Sequence, residues 1–153
     1  MLRIALFFAL ATSLAACSFN KAAPTWAEKA PFINRMEIHS VDKEANELLH
    51  KTSHLTLGAS ASHNVKLAAG KHYAFFADCA DECSNLDLSL QRDGATLKAD
   101  TAADASPMFG FYATQAGSYQ LVPQMVSCVN ADKKGCKYAV QVFESDRQLV
   151  ADE

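Results

Sequence analysis

Between residues 55 and 144 apolar and polar side chains alternate with period two, and this alternation constrains the fold more than any other feature of the chain. Successive side chains of a strand point to opposite faces, so "LDLSLQ" sets Leu86, Leu88 and Leu90 on one face and Asp87 and Ser89 on the other. Tyr119, Leu121 and Pro123 alternate in the same way with Gln120 and Val122, as do Tyr138, Val140 and Val142 with Ala139 and Gln141. Eight segments read as strands: "HLTLG", "HNVKLA", "HYAFFAD", "LDLSLQ", "TLKAD", "MFGFYA", "SYQLVPQMV" and "KYAVQVFE". Turn formers separate them, among them Ala69-Gly70-Lys71, Arg92-Asp93-Gly94, Ser106-Pro107 and Gln115-Ala116-Gly117. The spacing predicts a mainly β fold, an antiparallel β-sandwich of about eight strands. Pro123 cannot donate to a ladder, which predicts an edge strand or a bulge at that point.

Ahead of the strands, "SVDKEANELLHK" changes period. Val41, Ala45, Leu48, Leu49 and Thr52 fall on one helical face, Ser40 is placed to cap, and Asp42 and Glu44 suit a first turn. A short amphipathic helix of about three turns is expected there. The preceding "SFNKAAPTWAEKAPF" has Pro24, Pro31 and no period, and reads as a tether. Residues 1–16 carry one positive charge, Arg3, then an apolar run and small residues, the layout of a secretory signal. The expected organisation is a signal at 1–16, a tether at 17–39, and one domain of helix plus sandwich at 40–153. Removal of Arg3 leaves 13 basic against 17 acidic side chains, a net of −4, without the basic patch that nucleic acid requires.

The signal ends in Leu14-Ala15-Ala16-Cys17, which resembles the lipobox of bacterial lipoproteins. The resemblance implies cleavage before Cys17, a diacylglyceryl group on its sulfur and an acyl chain such as palmitate on its new amino terminus. The membrane is then a partner through the lipid anchor, and Ser18 after the cysteine favours the outer membrane, facing periplasm or cell surface. Four cysteines remain, Cys79, Cys83, Cys128 and Cys136, in a compartment where disulfides persist. Three pairings are possible. The expected one is Cys79–Cys83 with Cys128–Cys136, because each pair brackets a short polar connection between strand-like segments and so could pin a turn. The spacings fit neither a zinc site nor a two-residue redox motif.

The turns "AGKHY" (Ala69 and Gly70 before Tyr73), Leu86-Asp87-Leu88 leading to Asp93-Gly94, and Gly117-Ser118-Tyr119 together resemble the bacterial pre-peptidase C-terminal (PPC) domain over residues 55–144. The resemblance implies a jelly-roll-like sandwich that acts as a binding or folding-assistance module for proteins or polysaccharides. Members usually ride beside a catalytic domain, which this chain does not contain, and the two cysteine pairs suggest a distinct lipoprotein branch.

Asp78, Asp81 and Glu82 form an acidic stretch that offers oxygens to calcium or else makes a solvated rim. Asp100 and Asp104 read as a solvated hairpin loop. His50 and His54 have the i, i+4 spacing of a helical metal pair, but Lys51 stands where a zinc protease needs its glutamate, so a polar helix end is the simpler reading. His39, His63 and His72 are scattered. No nucleophile elbow or phosphate loop occurs, and no catalytic residue or cofactor is assigned. The adjacent pairs Phe75-Phe76 and Phe111-Tyr112 each send one ring to the outer face, where the helix packs over it or leaves an interaction patch. The functional expectation is a non-catalytic envelope lipoprotein whose sandwich binds a protein or glycan. The alternative is an inhibitor or immunity-type protein that blocks an envelope-directed enzyme with the loop "CVNADKKGC", Lys133 and Lys134 at its tip.

Overall fold

The computed structural model describes residues 22–129 and 134–151. A helix, α1 (Trp26–Val41), precedes β1 (Asn46–Leu55), β2 (His63–Leu67), β3 (Lys71–Cys79), β4 (Cys83–Arg92), β5 (Ala95–Asp100), β6 (Met108–Ala113), β7 (Gly117–Cys128) and β8 (Cys136–Ser145). The strands form two antiparallel sheets in the orders β1-β8-β3-β6 and β2-β7-β4-β5. β1 pairs with β8, β2 with β7, β3 with β6 and β4 with β5, so the chain is one long antiparallel ribbon rolled over itself. That is a jelly roll, one form of the antiparallel sandwich that the alternation predicts. No helix among the described residues is long and apolar enough to cross a membrane.

The inward faces are the predicted ones. Leu86, Leu88, Leu90, Tyr119, Leu121, Tyr138, Val140 and Val142 meet between the sheets, and Phe75 packs on Phe109 with ring centroids 5.3 Å apart. Pro123 departs from expectation, because β7 is an inner strand. Its carbonyl accepts the Ala61 N–H (3.1 Å), so the side of β7 without a donor faces residues 59–61, just before the ladder with β2 begins. The missing hydrogen bond therefore falls beyond the regular ladder.

The helix lies earlier than the spacing suggests. Residues 46–55 pair with β8, and a register shift between Glu47 and Leu49 leaves Leu48 as an extra residue. Such a bulge lets Leu48 and Leu49, neighbours in sequence, both pack against the core, and the doublet imitates helical spacing. Asp42 ends α1: its N–H reaches the Ile38 carbonyl (2.9 Å), and its carboxylate accepts the Glu44 N–H (3.0 Å) and the Ser145 hydroxyl.

Much of the expected tether is α1 itself. Glu28 accepts hydrogen bonds from the Thr25 N–H (2.8 Å) and hydroxyl (3.0 Å), which organises the first turn. Ala27, Ala30, Pro31, Asn34 and Ile38 recur at helical spacing and are all buried. Pro31 removes one helical hydrogen bond, which costs about 3 kcal/mol in a helix interior. Packing against the sheet offsets that loss, and the Pro31 carbonyl accepts Gln141 Nε2 (3.0 Å).

α1 covers the outer face of β1-β8-β3-β6, creating a second core. Ile38, Ala45, Ala74, Phe76, Phe143 and Leu149 cluster there, with the Phe76 and Phe143 rings edge to face at 5.9 Å. The helix thus packs over the outward ring of the Phe75-Phe76 pair. At its centre lies a polar network: Asn34 Nδ2 donates to Asp78 (2.8 Å) and Gln141 Oε1 (3.1 Å), Gln141 Nε2 donates to Glu47 (2.7 Å), and Trp26 Nε1 donates to Asp78 (3.2 Å) and the Ser106 hydroxyl (3.0 Å). Arg35 and Lys137 close the rim on Glu47 and Glu28, each at 2.7 Å. Asp78→Ala should leave the Asn34 and Trp26 donors without their shared acceptor and destabilise the domain by about 2–3 kcal/mol. Urea unfolding will measure the loss, and a red-shifted native emission of Trp26, the only tryptophan, will show that the helix has loosened.

Candidate functional site

Both disulfides have the expected pairing, Cys79–Cys83 and Cys128–Cys136. Their placement is more informative than a pinned turn. Cys79 ends β3 in one sheet and Cys83 starts β4 in the other; Cys128 ends β7 and Cys136 starts β8, again across the two sheets. Cys83 and Cys128 are direct register partners, so the two bonds stand side by side and bind the sheets together at one end of the sandwich.

The connections at that end are fixed to one another. The Val129 N–H donates to the Glu82 carbonyl (2.7 Å), the Ala80 N–H to the Lys137 carbonyl (2.8 Å) and the Cys83 N–H to the Ala80 carbonyl (2.8 Å). The Ser84 and Ser127 hydroxyls meet at 2.8 Å. Gly135 leads into β8 at φ +79°, and a Cβ there would strike the Leu55 carbonyl, so glycine alone permits this approach to β1. Thr25, His54, Ala80, Glu82, Gly135 and Lys137 surround a cleft of about 380 Å³. The end of β7 also carries exposed apolar side chains: Val129 next to Cys128, Val126 on the outer face of β7, and Leu57 in a segment held to β7 by Gly58 N–H to the Met125 carbonyl (2.7 Å). A surface with fixed backbone and exposed apolar groups suits association with a protein, because little conformational freedom remains to be lost.

The acidic stretch does not assemble a calcium site. Asp78 is buried under α1, where burial pushes its carboxyl up while hydrogen bonds from Ser106, Asn34 and Trp26 pull the other way. Asp81 and Glu82 are exposed on the connection beyond it, since successive elements of this turn face apart. Among the described residues no three His, Cys, Asp or Glu side chains converge on a metal-sized site. Asp100 and Asp104 order the β5–β6 connection, Asp100 accepting the Ala102 and Met108 N–H groups (both 3.0 Å) and Asp104 the Ser106 N–H (2.8 Å).

His50 and His54 lie on β1, where a separation of four residues is about 13 Å, too far to share a metal. His39 is on α1, and His72 packs on Tyr112 with centroids 4.8 Å apart. Tyr112 remains half exposed and Phe111 turns inward toward Tyr119. Lys134 is exposed just before Gly135, whereas Cys17 and Lys133 lie outside the described residues.

Sequence reasoning missed two features. The Asn34–Asp78–Gln141 network joins residues more than forty positions apart, and the only local hint was the Thr25-x-x-Glu28 pattern that starts α1. The second is His63, buried on β2 with Nε2 3.0 Å from the Tyr138 hydroxyl. Burial, then the nearby Lys51 charge, pushes the His63 pKa down from 6.5. The folded chain therefore binds fewer protons than the unfolded one below that value, so the neutral imidazole's contribution is complete above pH 6.5 and is lost as pH falls through the depressed folded value. Thermal melts from neutral pH to about pH 5 should show this loss, and His63→Gln should flatten that part of the profile.

Cutting the bonds should cost in proportion to the loops they close, about 2 kcal/mol for Cys79–Cys83 and about 2.5 kcal/mol for Cys128–Cys136. Denaturant titration of the paired Cys→Ser variants will measure this.

No protein-family model matches the sequence, and no curated protein does. Among solved structures the chain is similar to the crystal structure of Aeromonas hydrophila PliG, a periplasmic lysozyme inhibitor of g-type lysozyme, at 14% identity and a TM-score of 0.45 over 67% of this chain and 90% of that one. It is also similar to the solution NMR structure of a de novo designed double-stranded β-helix, at 9% identity and a TM-score of 0.37 over 63% of this chain and 99% of that one.

Proposed function

We propose that this chain is a non-catalytic lipoprotein of the bacterial envelope, anchored through Cys17, whose disulfide-bound end holds a protein partner. The observation that carries the reading is the pair of bonds across the two sheets, which fixes residues 80–82 and the stems of the Cys128–Cys136 loop beside exposed Leu57, Val126 and Val129. The buried polar side chains of the sheets are committed to packing: Asp78 and Gln141 to α1 and His63 to Tyr138. The proposed export and anchoring rest on the leader and Cys17, and the proposed PPC-like binding module rests on the sequence turns at Gly70, Gly94 and Gly117.

Affinity capture of the lipidated chain from envelope extracts, run beside a Leu57→Asp/Val129→Asp variant, tests the assignment. A defined protein recovered by the parent chain and lost by the folded variant supports it. Recovery of glycan alone, or equal recovery by both chains, overturns the protein-binding end.

The alternative, inhibition of an envelope-directed enzyme, is supported by the Cys128–Cys136 bond, which closes a short lysine-bearing connection between the end of β7 and the start of β8. Lys133→Ala/Lys134→Ala should then abolish inhibition of the captured enzyme while leaving the melting temperature unchanged. Unaltered inhibition removes the loop from that role.

A further inference from the structure

α1 has two apolar stripes, and the sheet uses one. Opposite the buried Ala27, Ala30, Pro31, Asn34 and Ile38 run Lys29, Phe32, Ile33, Met36 and Ser40, also at helical spacing. Phe32 is 62% exposed, Met36 59% and Ile33 36%, a concentration of large apolar groups on one turn and a half of helix. Phe32, Arg35, Met36, His39 and Ser40 border a shallow groove of about 430 Å³ along this face. Trp26 at the helix start keeps its ring edge partly exposed while its N–H is held by Asp78 and Ser106.

The number of residues before the helix decides what covers this stripe. If the tether ran from Cys17 to residue 39, it would reach about 80 Å and leave the domain remote from its anchor. Because α1 starts at Trp26 and is packed on the sheet, only eight residues separate it from Cys17, a reach of at most about 30 Å. Phe32 is six residues further on, about 9 Å along the helix axis. We infer that the outer stripe of α1, Phe32, Ile33 and Met36, lies on the lipid bilayer that holds the acyl chains of Cys17. This rests on the acylation proposed above. An interfacial helix presents aromatic and aliphatic groups to the acyl boundary with cations at its margin, and Lys29 and Lys43 stand exposed before and after the stripe.

The contact orients the molecule. The sheet beneath α1 faces the membrane, the outer face of β2-β7-β4-β5 faces away, and the disulfide-bound end opens sideways, within reach of a partner.

The test uses the full chain, processed and purified from membranes, in vesicles of phosphatidylethanolamine and phosphatidylglycerol. Intact mass reads acylation independently. In the unsubstituted protein a photoactivatable phospholipid should label peptides 30–35 and 36–43 well above those of β2 and β7. A second measurement moves the tryptophan: Trp26→Phe/Phe32→Trp should be quenched severalfold more by lipids brominated along the acyl chain than Trp26→Phe/Gln120→Trp, whose probe sits on the far sheet. An acylated chain whose α1 takes no lipid label and whose residue 32 is quenched no more than residue 120 overturns the inference and leaves the anchoring intact. Crosslinks between copies through α1 in place of lipid labelling overturn it in favour of self-association. A mature chain without acyl groups overturns the anchoring itself.

Discussion

The sheet β1-β8-β3-β6 has no solvent face over its two middle strands, and the rest of the structure follows from that constraint. β3 and β8 bury residues of both parities: Phe75 and Val142 turn toward the opposite sheet, while Phe76, Phe143 and Ala74 turn outward. A jelly roll alone leaves that outer layer in water, where exposed apolar area of this size is unfavourable by roughly 25 cal/mol per Å². α1 removes it. Because Asp78 and Gln141 also point outward, the helix must bring donors and acceptors as well as apolar surface, and Asn34, Trp26 and the Pro31 carbonyl supply them. A polar group sealed without such partners would cost more than the burial gains locally.

Covering this face sets the two ends of the functional argument. It consumes residues that would otherwise extend the tether, which leaves eight residues between Cys17 and the helix. It also brings Thr25 and Glu28 to the end where the two disulfides stand, Glu28 pairing with Lys137 just beyond Cys136. The hydrogen bond from Lys137, and then those from Thr25, lower the Glu28 carboxyl to about 2, so it is charged at neutral pH. The disulfide-bound end and the helix start therefore share one region, while the exposed apolar stripe of Phe32, Ile33 and Met36 lies along the same helix.

The strands from β2 to β8 were legible because their pattern is local. Leu86, Leu88 and Leu90 advertise one face, Asp93-Gly94 and Gly117 mark where the chain turns, and the two cysteine pairs each bracket a short polar connection. What was not legible had a local pattern that contradicts its tertiary setting. Leu48 and Leu49 read as helix because the bulge that sets both against the core exists only once β8 is alongside. Pro31 and the alanines around it read as tether because the sheet that α1 covers, and not a local pattern, stabilises the helix. The acidic run at 78–82 looked like one cluster, yet strand alternation and the turn after Cys79 separate Asp78 from Asp81 and Glu82.

By itself, then, the amino-acid order determined a sandwich of alternating antiparallel strands and its turns, and pointed to one of three cystine pairings, since each depends on side chains a few residues apart obeying the pleat or on backbone only glycine and its companions adopt. Tertiary structure alone decided where the helix begins, which sheet it covers, that both disulfides cross between sheets, and that His63 and Asp78 are buried. Those outcomes depend on surfaces contributed by residues up to 110 positions apart, such as Pro31 and Gln141, whose meeting no local pattern encodes.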